Sequence, residues 1–220
     1  MSDDREEGKR AAAARAVAAV DDGDVVGLGT GSTAAYAIDA LADRDITGVP
    51  TSHQSRLRAL EAGVPVAGLD AVDGIDVAID GADEVAGLAL IKGGGGAHAR
   101  EKVVATAADR FLVVVDDTKL TERLSAPVPV AVLPMAHGAV IEHLETLEGD
   151  PVLRTAAGKD GPVVTDDGHF VLDCSFGPIA DPAALADRLA SLPGVVEHGL
   201  FPDQADAVII GTADEVTVRE

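Results

Sequence analysis

The chain has 220 residues, room for one domain or for a larger one with a small companion; 47% are apolar and only 2% aromatic, so Ala, Val, Leu and Ile must build the core. With 38 acids against 17 Lys and Arg the formal charge is −21, a surface that repels nucleic acid and anionic membranes. Cys174 is the single cysteine, which excludes an intrachain disulfide and fits a reducing cytoplasm, while the acidic opening SDDREEGKR is no secretory leader and no apolar run reaches membrane-spanning length. An ordinary acidic cytosolic protein is one reading of this charge; the preferred one is adaptation to molar salt, where self-repulsion is screened within a few ångströms.

The first predicted element is an alanine-rich helix over residues 5–20, acids first and bases after, as a helix dipole favours. DVVGLG (24–29) reads as a buried strand, and TGST (30–33) opens a helix to about Asp43. Ile46–Thr51 is a second strand, and Thr51 or Ser52 caps a helix that Gly63 ends. Strands follow at 64–67, 75–80 and 88–91, then a helix over 97–108 and a strand over 111–116. Strands alternating with helices at this spacing indicate a parallel sheet covered on both faces.

Near Pro127 the pattern changes. A strand (VPVAVLP), a helix (HGAVIEHLETLEG), three strands in PVLRTA and GPVVTDDGHFVLDCSF, a helix capped by Asp181 with Pro182 at its first position, and a strand over 195–201 suggest a small α+β unit. The apolar strand 207–211 is expected to rejoin the first sheet. The expected architecture is therefore α/β: a doubly wound, mostly parallel, Rossmann-like sheet with a smaller inserted α+β, ferredoxin-like domain. The boundaries are residues 1–126 plus 203–220, and 127–202.

The stretch Ile79–Lys102 (IDGADEVAGLALIKGGGGAHAREK) gathers Asp80, Asp83, Lys92 and Glu101 around the consecutive glycines 93–96. Each glycine gives up roughly 0.5–1 kcal/mol of backbone entropy relative to alanine, so the run serves a path that side chains would block or a ligand that touches backbone. The helix expected after it offers an anion seat at its N-terminus. Asp80 and Asp83 follow a strand, at the sheet edge where doubly wound folds bind ligands, although an acidic turn or a divalent-cation site uses the same residue types. Glu101 near a helix start is by itself only a good dipole partner. With Lys92 and the glycine N–H groups it becomes a general base beside an oxyanion site, the combination needed to take a proton next to a carbonyl.

GTGSTA (29–34) matches G-x-G-x-x-A, but the second strand ends Pro50–Thr51–Ser52 without the ribose-binding acid, and no G-K-[ST] is present. What remains is a hydroxyl-rich turn suited to one phosphate, or simply a capped helix. Lys119 ends VVDDTK on the same sheet edge as Asp80, as a phosphate partner or a solvated lysine. None of the histidines 53, 98, 137, 143, 169 and 198 makes a metal-spaced cluster, and Cys174 in VLDCSF reads as core.

Taken together in this order, GLGTGSTA, TSHQS, DGADE, KGGGGAHAREK, VVDDTKL and PGVVEHGLF make the chain resemble the type A ribose-5-phosphate isomerase family over nearly its whole length. The resemblance implies interconversion of D-ribose 5-phosphate and D-ribulose 5-phosphate through an enediolate, a step of the non-oxidative pentose phosphate pathway. It implies no metal or organic cofactor, and a homodimer or homotetramer; the charge and the single cysteine add the expectation of a cytoplasmic protein with no nucleic-acid or membrane partner. It assigns Glu101 as the base between C1 and C2, Asp80 to ring opening, and Lys92 and Asp83 to the reacting oxygens. Substrate contacts carry over to Thr30, Gly31, Ser32 and Thr33; to Asp80, Gly81, Ala82 and Asp83; to Lys92, Gly93, Gly94 and Gly95; and to Lys119. A phosphate contact from Lys9 is the weakest match. His98 and Ala99 replace the commoner Leu-Thr pair, and His169 and His198 stand where Asn is common.

Three rival readings fit less well. A non-catalytic sugar-phosphate effector domain has no need of Glu101, and a DNA-regulatory role conflicts with the charge. An NAD-dependent oxidoreductase lacks its ribose-binding acid. A metal-assisted hydride-shift isomerase requires acid and histidine ligands that this sequence does not group together.

Overall fold

The computed structural model describes residues 2–220; residue 1, where the first expected domain begins, lies outside the described residues. In chain order the elements are α1 (Ser2–Val17), β1 (Val25–Leu28), α2 (Ser32–Ala40), β2 (Thr47–Pro50), α3 (His53–Ala62), β3 (Ile75–Asp80), β4 (Glu84–Ala86), β5 (Ala89–Ile91), α4 (His98–Ala107) and β6 (Ala108–Asp116). They continue as β7 (Val128–Val132), α5 (His137–Thr146), β8 (Asp150–Leu153), β9 (Phe170–Ser175), α6 (Pro182–Ala190), β10 (Val195–His198), β11 (Leu200–Phe201), β12 (Ala207–Gly211) and β13 (Val216–Arg219). The chain divides into two compact units: residues up to Ala82 with Arg100–Leu120 and Gln204–Glu220, and Asp83–Ala99 with Thr121–Asp203.

The first unit is built on a six-stranded sheet in the order β13-β12-β6-β3-β1-β2, parallel throughout except for the edge strand β13. Alternation sorts its side chains. Val26, Leu28, Val77, Ile79, Leu112, Val114 and Ile209 enter one apolar cluster with Ala12, Ala13 and Ala16 of α1 and Ala37 and Ile38 of α2. On the opposite face Val104 of α4 lies against Gly27 and Ala78, so close that a Cβ at Gly27 would stand 2.6 Å from the valine methyl. Helices on both faces and β-branched strands between them make the doubly wound layer, and each buried Val, Leu or Ile stabilises it by ~1.5–3 kcal/mol. Alanine keeps α1 close to the sheet, and glycine closes the remaining gap: a Cβ at Gly8 would lie 2.6 Å from the Gly211 carbonyl oxygen. Strand Ala207–Gly211 rejoins this sheet beside β6, as expected.

The second unit carries a four-stranded antiparallel sheet in the order β10-β7-β9-β8, with α5 between β7 and β8 and α6 between β9 and β10. This βαββαβ arrangement is ferredoxin-like. Val128, Val130, Val132, Leu172, Cys174, Val140, Leu144 and Leu189 fill its core. Asp181 caps α6 by accepting from the Ala184 N–H at 3.0 Å, with Pro182 in the first turn.

Four local expectations change. The strand expected over 64–67 is one parallel bridge, Gly48 to Val66, because Val64 and Ala67 are flanked by Gly63, Pro65 and Gly68. The middle strand expected after PVLRTA is reduced to the bridges Thr155–Pro162 and Val164–Phe170. The strand expected over 195–201 breaks at Gly199, where a Cβ would collide with the Lys92 carbonyl; β10 pairs with β7, and β11 pairs with β5 in a separate β11-β5-β4 sheet. The unit boundary also differs from residue 127. Asp83–Ala99 and Thr121–Ala126 join the second unit because β4 and β5 pair with β11, and because the Glu84 carboxylate accepts from the N–H groups of Ser125 and Ala126 at 2.7 and 2.9 Å. Among the described residues no helix is long and apolar enough to cross a membrane.

Candidate functional site

In the first unit the proposed residues gather at the carboxyl ends of the parallel strands, where backbone groups lack a next strand to pair with. Gly29 follows β1 directly and lies against Asp80, so that a Cβ there would overlap the aspartate carboxylate. Asp80 Oδ1 accepts from the Thr30 N–H at 2.9 Å and the Gly81 N–H at 2.7 Å, while the residue is only 3% exposed. Two backbone donors on one carboxylate oxygen fix its orientation.

Thr30 turns its hydroxyl away from the role its sequence suggested. Its Oγ1 lies 2.9 Å from Thr51 Oγ1 and donates to Ser52 Oγ at 2.7 Å; Thr51 Oγ1 in turn donates to the Leu28 carbonyl at 3.0 Å. Ser52 caps α3 in a reciprocal box with Ser55. The turns after β1 and β2 are thus tied by hydroxyls, and the Thr30 hydroxyl is committed within the protein. Gly31 adopts φ 107° at the start of α2, where no side chain caps the first turn occupied by Ser32 and Thr33. Beside it lies a cavity of about 260 Å³ lined by Gly29, Gly31, Ala35, Gln54, Ser55 and Arg58. Such a helix start carries the donors and partial charge that seat an anion.

Glu101 sits in the first turn of α4 and is 4% exposed. Lys119 closes a short 3₁₀ turn, Asp117–Lys119, after β6 and is half-buried. Asp116 caps that turn. Burial pushes the Asp116 carboxyl upward, but hydrogen bonds from Thr118 and from Arg5 Nε at 3.1 Å outweigh it and hold the group below the usual carboxylate range. Lys9 is drawn elsewhere: its ammonium lies 2.7 Å from Glu6, whose other oxygen accepts from the Tyr36 hydroxyl at 2.5 Å. The bonds from Lys9 and Tyr36 lower the Glu6 pKa, and the bond to Glu6 raises that of Tyr36.

In the second unit β4 and β5 form a hairpin through Gly87 (φ 65°), extended by the Asp83 N–H donating to the Ile91 carbonyl at 2.8 Å. Lys92 follows, 2% exposed, its N–H donating to the Gly199 carbonyl at 2.8 Å and its ammonium 5.6 Å from the Phe201 ring centroid. Gly93 (φ 99°) and Gly96 (φ 77°) take left-handed conformations and close a turn through the Gly96 N–H to Gly93 carbonyl bond at 2.9 Å. The Gly94 N–H donates to Asp83 Oδ2 at 2.7 Å. The expectation that all four glycine N–H groups face a ligand is therefore corrected: those of Gly94 and Gly96 already have partners in the chain.

The structure groups Thr30, Gly31, Asp80 and Gly81 in one unit and Asp83, Lys92, Gly93 and Gly94 in the other. Ala82 is the last residue of the first unit before Asp83, and Gly95 lies at the tip of the glycine turn. Sequence reasoning missed Arg154. Its guanidinium donates from Nη1 to the Gly93 and Gly94 carbonyls, both at 3.0 Å, and grips Asp173 from Nε and Nη2 at 2.8 and 2.5 Å. His98, the departure before Glu101, is fully buried: its ring stands where a Cβ on Gly93 would be 2.6 Å away, and Nε2 accepts the Ala131 N–H at 3.1 Å. That donor lies opposite the β-bulge between Val195 and Glu197, so the histidine takes a ladder N–H in the bulged stretch. Among the described residues no group of His, Cys, Asp or Glu is placed to hold a metal ion.

A sequence profile of the family described as "Ribose 5-phosphate isomerase A (phosphoriboisomerase A)" matches residues 47–215. The Ribose-5-phosphate isomerase A of Haloarcula marismortui is 62% identical over 216 residues, covering 96% of this chain and 94% of that protein. A D-ribose-5-phosphate isomerase solved in complex with phospho-erythronic acid superposes with a TM-score of 0.96 at 46% identity, covering 98% of this chain and 99% of that one. The ribose 5-phosphate isomerase A of Methanocaldococcus jannaschii gives a TM-score of 0.94 at 41% identity, with coverages of 98% and 99%. Both the fold and the sequence motifs run the length of these relatives, and the chain belongs to the ribose 5-phosphate isomerase A family.

Proposed function

We propose that this chain is an aldose–ketose isomerase that interconverts D-ribose 5-phosphate and D-ribulose 5-phosphate by proton transfer through an enediolate. Glu101 removes the proton from C2 of the open-chain aldehyde and returns it at C1, while the hydroxyl proton passes between O2 and O1 so that the atoms balance. Asp80 assists opening of the furanose ring. Lys92, Asp83 and the Gly93–Gly95 turn attend the oxygens on which negative charge develops. The phosphate ester is met by the α2 helix start (Gly31, Ser32, Thr33), which the Thr30 hydroxyl bonds hold in place, and by Lys119, with Gly81 and Ala82 lining the sugar. No cofactor or metal enters this scheme.

The observation that supports the reading most is Glu101 itself. A carboxylate 4% exposed in the first turn of a helix gains little from burial alone, and it follows the glycine turn directly in the chain. The same proposal includes a cytoplasmic homodimer or homotetramer, read by sedimentation in molar KCl. The assay is conversion of ribose 5-phosphate in high salt with chelator present. Wild type is expected to turn over and Glu101→Gln to lose several orders of magnitude in kcat with its fold intact. Binding without turnover in wild type returns the chain to the effector-domain class, and near-normal turnover in Glu101→Gln refutes the base assignment.

A further inference from the structure

We infer that Arg154, locked by Asp173, is a positioning residue for this reaction: it fixes the carbonyl side of the glycine turn and so aims the N–H of Gly95 at the oxygen that becomes charged. The inference rests on the isomerase reading above. Arg154 follows β8, and Asp173 lies on β9 opposite Val152. The two-pronged contact with Asp173 fixes the guanidinium plane. It leaves Nη1 to bridge the carbonyls of Gly93 and Gly94, both at 3.0 Å.

The consequence follows from peptide geometry. In a trans peptide the carbonyl and the N–H point in opposite directions, and among the described residues every peptide bond is trans. The Gly93–Gly94 peptide obeys the rule visibly, with its carbonyl on Arg154 and its N–H 2.7 Å from Asp83. The next peptide has its carbonyl on the same guanidinium, so the Gly95 N–H emerges on the side away from Arg154. Glycines have no side chains with which to hold a turn, and their freedom is the largest of any residue. An external clamp is therefore what keeps these amides in one orientation, and a cation on the carbonyls also strengthens the N–H groups as donors.

The test uses the full chain in molar KCl with Arg154→Ala and Arg154→Lys beside wild type and Glu101→Gln. The measured quantities are kcat and KM for ribose 5-phosphate and the inhibition constant of phospho-erythronic acid, whose carboxylate places charge where the enediolate would. Misaimed donors cost ~10–100-fold in kcat, with KM within about twofold of wild type. The inhibitor weakens by a similar factor, and millimolar guanidinium restores part of the activity of Arg154→Ala. Lysine keeps the charge but not the fork, so Arg154→Lys falls as well. An unchanged kcat in a folded variant, or a raised KM at unchanged kcat, overturns the inference. So does unfolding of both variants, which would make the pair a clamp on the fold only. If wild type is inactive or Glu101→Gln is active, the isomerase reading fails instead; with those two as expected, a normal Arg154→Ala sinks this inference alone.

Discussion

Replacing Gly94 by alanine tests the fit between the glycine turn and Asp83. Gly94 is not among the glycines in the left-handed region, so its backbone accepts a side chain and only the contact counts. The added Cβ would stand 2.6 Å from Asp83 Oδ1 and 3.1 Å from Cγ, so the carboxylate must swing away and release the 2.7 Å bond from the Gly94 N–H. A hydrogen bond to a charged acceptor contributes ~1.5–3 kcal/mol, and the exposure of Asp83 reduces this to about 1 kcal/mol. If Asp83 acts from its present position, a cost of that size lowers kcat/KM by roughly five- to tenfold. The assay is steady-state isomerisation in molar KCl by Gly94→Ala, Asp83→Ala and the double variant. A loss carried by the contact leaves the double variant no worse than Asp83→Ala alone. Losses that multiply, or a Gly94→Ala enzyme equal to wild type, refute the reasoning.

Three further outcomes follow from single features. The Asp116 carboxyl is held below its ordinary range, so its contribution is complete above pH ~4 and fades as pH falls through the lowered folded value; Arg5→Ala is then less stable than wild type by roughly 0.5–1 kcal/mol at pH 7, a gap in urea unfolding that closes in acid and would argue against the pairing if it stayed constant. Burial pushes the Cys174 thiol up to about 12, so Ellman's reagent at pH 8 should leave the folded chain unlabelled and titrate one thiol on unfolding. The charge of −21 predicts a lower unfolding midpoint in dilute buffer than in molar KCl, and equal midpoints would remove the salt-adaptation argument.

The parts of the molecule that the sequence displays are those whose causes are local. Ser52 and Gly63 bracket α3, and Asp181 with Pro182 starts α6, because caps and turns are decided within a few residues. Asp80 was legible for a related reason: an acid directly after a buried strand in an α/β pattern stands at the carboxyl edge wherever the strand sits in the sheet. Gly199 was not. VVEHGLF reads as one strand, and only the approach of the Lys92 carbonyl from far upstream divides it between two sheets. β13 escaped because it is short, mostly exposed and at an edge, where little burial patterns the side chains. Arg154 escaped most completely. An arginine after a strand is an ordinary surface residue until the fold brings the carbonyls of Gly93 and Gly94 to it, across separations of 61 and 60 residues.

A common device emerges in how the two units hold their acids. Asp80 accepts from the N–H groups of Thr30 and Gly81, and Asp83 from that of Gly94. In a chain with 38 acids and 17 Lys and Arg, cations are scarce, and in molar salt an exposed ion pair is heavily screened. Backbone amides escape both limits. They are supplied by every non-proline residue, they act at contact distance, and the strand ends and glycine turn that present them are set by packing. These three amide bonds therefore help to orient Asp80 and Asp83 at any ionic strength.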